Sequence, residues 1–177
     1  PNIELRLSTF VGQDAHAINY HVIFSSDISA ETIQSLFLSQ LHIKSDNDNE
    51  FPLSIDGLTR LGRAYKEHNR YNGSDFLCGL EKATVHDQEI INVLRKSKEF
   101  QGNYLISIPV DEDLSRVPWA GRDYFARKLL YKQCNCYMTA NERTIDWAIA
   151  KGKSDLEKNE LLSEFGALKP CIWGSDA

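Results

Sequence analysis

The chain has 177 residues, 42% hydrophobic and 25% charged, with a formal net charge of -5 at pH 7. These totals fit one soluble globular domain with a core of its own, and the acidic balance argues against broad, sequence-blind nucleic-acid binding by surface charge alone. No apolar run approaches the roughly 18 residues of a membrane span, no stretch reads as a signal peptide, and four cysteines without a CxxC pair point to a reducing compartment, hence the cytoplasm.

Ile3-Glu4-Leu5-Arg6-Leu7-Ser8 alternates apolar and polar, which predicts a strand with Glu4 and Arg6 on the face away from Ile3, Leu5 and Leu7. Gly12-Gln13-Asp14 reads as a turn, and the β-branched and aromatic run Ile18–Phe24 as the next strand. Glu4 and His21 then lie on two strands with a short connection and can meet across them. Ser29 caps a predicted helix through about Gln40, with Ile33, Leu36, Phe37 and Leu41 as its apolar stripe. Lys44–Glu50 is polar and reads as a surface loop. Its acids have the loose spacing of a calcium loop, but the required glycine and terminal Glu are not in place. Ser54 starts a second helix, with Ile55, Leu58, Leu61 and Tyr65 inward. Arg60, Arg63, Lys66, His68 and Arg70 cluster around its end, either as a solvated face that suits the helix dipole or as a patch for phosphates. Tyr71–Asp75 reads as a loop.

A helix is predicted from His86 to Phe100 with Ile90, Ile91, Val93 and Leu94 on one side, then a strand, Asn103–Pro109, and a solvated acidic loop at Asp111-Glu112-Asp113. Asp123–Lys132 reads as helix with Phe125, Leu129 and Leu130 inward. In the strand Cys134–Thr139 the two cysteines face the same way, as core thiols in preference to a soft-metal pair. Asn141 caps a helix through about Lys151, and Ser154 with Glu157 forms a capping box for another that ends at Gly166. Lys169–Ala177 closes the chain as a short buried strand, Cys171–Trp173, a tight turn at Gly174-Ser175, and Asp176 at the carboxyl end, the edge where α/β sheets gather ligands. The abrupt stop after Asp176-Ala177 suggests an excerpt of a longer polypeptide. The second half alternates β and α at βαβ lengths. No repeat or boundary interrupts residues 1–177, which read as a single α/β domain.

Glu4 in an early strand, His21 in the next, and Gly174-Ser175-Asp176-Ala177 ending a later one together resemble the polymerase and histidinol phosphatase (PHP) superfamily. The likeness is strongest to the PHP-like region of large TrlF-type ATPases, through Pro1–Leu7, Ile18–Phe24 and Lys169–Ala177. It implies a distorted (βα)7 barrel, incomplete here at its N-terminal strands, and a metal-dependent phosphoesterase or nuclease. It implies Glu4, His21 and Asp176 as ligands of Mn, Zn or Fe, with Arg6 neutralising phosphate charge. Asn19, on the same strand face, is the candidate to orient His21. The implied substrate is a phosphoester in nucleic acid or a nucleotide. The implied partner is an ATPase module, in anti-phage defence or DNA processing.

The departures from the pattern are specific. The family's opening His-x-His is absent, the His expected after Asp176-Ala177 lies beyond the end, and Ile108 in Ser107-Ile108-Pro109 stands where the family's Ala-His-Pro carries its His. Two alternatives follow: a catalytically degraded PHP-like scaffold or interaction domain, and an unrelated α/β binding module in which Glu4, His21 and Asp176 never meet. His16, His42, His68 and His86 lack partners at metal spacing and read as structural or exposed.

Overall fold

The computed structural model describes residues 1–8, 18–44, 49–111 and 122–173, with the backbone alone at 122 and 123. In chain order the elements are β1 (Asn2–Leu7), β2 (Ile18–Phe24), α1 (Ala30–Leu36), β3 (His42–Lys44), β4 (Glu50–Pro52), α2 (Ile55–His68), α3 (Asp75–Lys82) and α4 (Asp87–Lys96). They continue with β5 (Tyr104–Pro109), α5 (Arg122–Gln133), β6 (Cys136–Met138), α6 (Glu142–Ala148), α7 (Asp155–Phe165) and β7 (Cys171–Ile172).

Five strands form one sheet in the order β1-β2-β5-β6-β7. β5, β6 and β7 are parallel, with Ser107 beside Cys136 and Tyr137 beside Cys171. β2 runs the other way. The Phe24 N–H donates to the Pro1 carbonyl at 2.8 Å and the Ser25 N–H to the Asn103 carbonyl at 2.8 Å, so the end of β2 lies beside the starts of β1 and β5. The sheet is therefore mixed, and it does not close. This corrects the expected PHP-like (βα)7 barrel. Such a barrel needs strands of one direction, each returned by a crossover helix. Here β2 opposes both of its neighbours, and β1 takes a parallel bridge from Leu7 to Val85 on its outer side instead of meeting β7.

The chain divides into two compact units, one of Pro1, Leu5–Thr9 and Phe24–Tyr104, the other of Asn2–Glu4, Phe10–Ile23 and Leu105–Ala177. In the first, Phe24, Phe37 and Phe100 form a buried trio with centroids 5.1–6.2 Å apart. Ser29 and Ser54 cap α1 and α2 as expected, each accepting from the amide three residues on. The segment read as a polar loop instead ends in a two-stranded hairpin, β3–β4, pinned by the buried cross-strand pair Ile43 and Phe51; residues 45–48 of the calcium-like stretch lie outside the described residues. α3 was not expected. At Gly62 and Gly79 it meets α2 with no side chain between: a Cβ on Gly79 would sit 1.8 Å from the Leu58 carbonyl oxygen, and one on Gly62 1.8 Å from that of Asp75. Only glycine permits backbones so close. Ile55, expected inward, is 75% exposed, while the buried stripe of α2 runs through Gly57, Leu58, Leu61 and Gly62. Among the cations at the end of α2, Lys66 and Arg63 are tied to Asp75, at 2.9 and 3.4 Å, and the Arg60 guanidinium lies over the Phe51 ring. These contacts favour the solvated-face reading over the phosphate patch.

In the second unit, Tyr131, Tyr137, Trp147 and Phe165 cluster with centroids 5.1–6.1 Å apart. α6 and α7 are capped by Asn141 and by the Ser154–Glu157 box, and Gly166 ends α7 at φ 81°. α5 buries Arg127, Leu130 and Tyr131, while Phe125 and Leu129 stay exposed, a correction to the inward face expected from the sequence. The buried aromatic cluster draws Tyr131 in, and that choice turns Phe125 and Leu129 outward. Lys169 is buried, and its ammonium donates to the carbonyls of Cys134 at 2.6 Å and Lys132 at 3.4 Å. It thus satisfies carbonyls that α5 leaves unpaired at its C-terminal end.

Candidate functional site

The alternation of β1 places Leu5 and Leu7 in the core and leaves Glu4 and Arg6 exposed. On β2, Ile18, Tyr20 and Val22 are buried and share one face by the period of the strand, so His21 lies on the other. An antiparallel ladder continued without a bulge from the Phe24–Pro1 bond sets Glu4 opposite His21. His21 is only 8% exposed. Its Nδ1 lies 3.2 Å from the side-chain amide of Asn2. The orienting group is thus Asn2, across the strand pair, where the sequence suggested Asn19 along the strand. As placed, the Asn2 N–H donates to Nδ1; with the amide turned over, Oδ1 accepts from Nδ1–H and Nε2 keeps its lone pair for a metal. Arg6 donates through Nη1 to the Glu81 carbonyl at 2.7 Å, so one of its donors is committed to structure.

At the carboxyl edge of the parallel strands, Asp111 follows β5 and Thr139 follows β6. Thr139 donates through Oγ1 to Asp111 Oδ2, and Thr144 on α6 donates to Oδ1 at 2.7 Å. Thr139 Oγ1 also accepts from the Asn141 N–H at 3.0 Å. Asp111 therefore ties the end of β5 to the start of α6, with its charge at a helix N-terminus where it is favoured. From sequence alone Asp111 is expected as a solvated acid. β7 joins the same edge, since the Thr139 N–H donates to the Ile172 carbonyl at 3.1 Å. Asp176, the third ligand in the expected set, lies outside the described residues, as does the Gly174-Ser175 turn.

Ile108, at the position where the resemblance expects a His, is fully buried in β5. Cys134 and Cys136 are buried, and burial pushes the Cys134 thiol far above its ordinary range, so it stays protonated at neutral pH. Cys134 donates to the Leu130 carbonyl. These are core thiols. Among the described residues no three of His, Cys, Asp and Glu come together as a metal ion would require. Of the three expected donors, Glu4 and His21 are among the described residues. Among the described residues no helix is long and apolar enough to cross a membrane. No family model, curated protein or solved structure matches the chain.

Proposed function

We propose that the chain is the hydrolytic part of a metal-dependent phosphoesterase acting on phosphoesters of nucleic acid or nucleotides, with Glu4, His21 and Asp176 as donors. What supports this reading is the pairing on β1 and β2: a carboxylate and an imidazole on one face of adjacent strands, with Asn2 holding the ring. Carboxylate and imidazole suit Mn, Zn or Fe. A bound ion supplies a water of lowered pKa and a clamp for the phosphate. The chain's own part is to fix the ring through Asn2 and leave the Glu4 carboxylate open to solvent; Asp176 follows β7, which β5 and β6 separate from β2 in the sheet order, and lies outside the described residues.

One observation favours a second reading, a non-catalytic scaffold: Ile108 fills its position in β5 with a buried aliphatic side chain that donates to no metal. Metal analysis and hydrolysis of bis(p-nitrophenyl) phosphate separate the two. The phosphoesterase holds stoichiometric Mn, Zn or Fe and loses turnover with chelator. Glu4→Gln and Asp176→Asn each lower turnover by at least about a hundredfold, and Asn2→Ala by about tenfold, with the thermal midpoint held in each. Undiminished turnover in both Glu4→Gln and Asp176→Asn overturns the ligand set, and metal-free protein without turnover establishes the scaffold.

A further inference from the structure

We propose that the groove between α4 and β3, in the first unit, binds a small phosphate monoester with an apolar or aromatic body. α4 buries Ile90, Ile91 and Leu94. Its opposite stripe, Glu89, Asn92, Val93 and Lys96, is spaced three and four residues apart and so forms one face. That face is mostly polar and gives the end of α1 no reason to pack down on it. What remains is a groove of about 790 Å³, lined also by Leu36, Gln40, His42 and the turn Ser97-Lys98-Glu99. Its size falls within the roughly 300–1,000 Å³ of small-molecule sites.

The charges in the groove are unequal in availability. Glu89 is engaged: its Oε1 lies 2.8 Å from His42 Nδ1. An ionised carboxylate only accepts, so Nδ1 carries the hydrogen and Nε2 is the nitrogen left for a ligand. Glu99 is engaged as well, since it accepts from Ser97 Oγ at 2.6 Å. Lys96 and Lys98 make no hydrogen bond or ion pair among the described residues, although Lys98 lies in the field of the Glu99 carboxylate beside it. The groove thus offers two ammonium groups without a hydrogen-bond acceptor of their own and an imidazole held by a carboxylate, next to an aliphatic wall of Leu36 and Val93. Two cations match a dianion better than a single carboxylate, and charge-assisted hydrogen bonds to phosphate oxygens are the strong kind. The wall accounts for the apolar body.

Benzylphosphonate is a suitable probe, because its carbon–phosphorus bond is not an ester and no esterase cleaves it. Titrated into the whole chain with chelator present, it should bind saturably at one site, followed by amide shifts of α4 and β3. The Lys96→Gln/Lys98→Gln double variant should weaken binding about tenfold. The control double variant Lys153→Gln/Lys158→Gln, at the start of α7 and just before it, should bind as the parent does. Failure to saturate, equal affinity in Lys96→Gln/Lys98→Gln, or an equal loss in the α7 control overturns the proposal. With metal withheld, none of these results depends on whether Glu4, His21 and Asp176 carry hydrolysis.

Discussion

The two compact units hold their helices by opposite means. In the first, α2 and α3 touch backbone to backbone through Gly62 and Gly79. In the second, α5, α6, α7 and β6 are held apart by large rings, with Tyr131 and Phe165 centroids 5.8 Å from each other and Trp147 stacked on Tyr137. The difference teaches where each unit tolerates change. Contact between main chains has no rotamer to adjust, so an added atom must move a helix. Interleaved side chains can shift in small steps, and trimming one of them costs in proportion to what is removed.

Adding one carbon should therefore hurt the first unit more than removing several hurts the second. Gly79→Ala, whose methyl would meet the Leu58 carbonyl at 1.8 Å, should destabilise by about 3 kcal/mol or more, whereas Phe165→Leu should cost about 1.5 kcal/mol. Chemical denaturation measures both, and a smaller loss for Gly79→Ala breaks the contrast.

Lys169→Met sharpens the picture of the second unit. It strands the carbonyls of Cys134 and Lys132 and should cost about 2 kcal/mol at neutral pH. Burial holds the Lys169 amine below its ordinary range, so the folded chain gives up that proton at a lower pH than the unfolded chain. Between the folded value and the ordinary value of about 10.4 the unfolded state binds more protons, and this group's contribution to stability rises with pH across that window. The Cys134 thiol and Tyr137 phenol, pushed up by burial, act with the opposite sign. The difference between parent and Lys169→Met across alkaline pH reports the amine together with its interaction with the Cys134 thiol, and a flat difference contradicts the assignment. Ser154→Ala, which opens the capping box on α7, should cost only about 1 kcal/mol, read as a shift in the urea midpoint.

The sequence revealed what is decided within a few residues. The caps at Ser29, Ser54, Asn141 and Ser154, and the stop at Gly166, depend on one side chain meeting an amide two or three positions on, or on one glycine's freedom. Choices made by distant partners were not legible. Periodicity put Phe125, Leu129 and Leu130 near one stripe of α5, but the aromatic cluster selects the side that takes Leu130 and Tyr131. Three-residue strands such as β3 are too short to display a period. α3 hides because Cys78 and Gly79, its buried residues, look like no apolar stripe, although glycines at 62 and 79 were a signal of close approach. His86 was read as structural or exposed, and it caps α4 by accepting from the Gln88 N–H. At the candidate site, the alternation of β1 put Glu4 on the face away from Leu5 and Leu7, whereas the nearly unbroken apolar run of β2 did not say which face takes His21. The direction of β2, which decides between an open sheet and a barrel, is set by hydrogen bonds that leave no mark on composition.

The glycine contact also bears on motion. Helices separated by side chains can slide as rotamers exchange, but α2 and α3 have nothing between Gly62 and Gly79 that can rearrange. Their amides should lose protection from hydrogen exchange together, as one cooperative block, so that this hairpin is either shut or wholly open with no intermediate slackening.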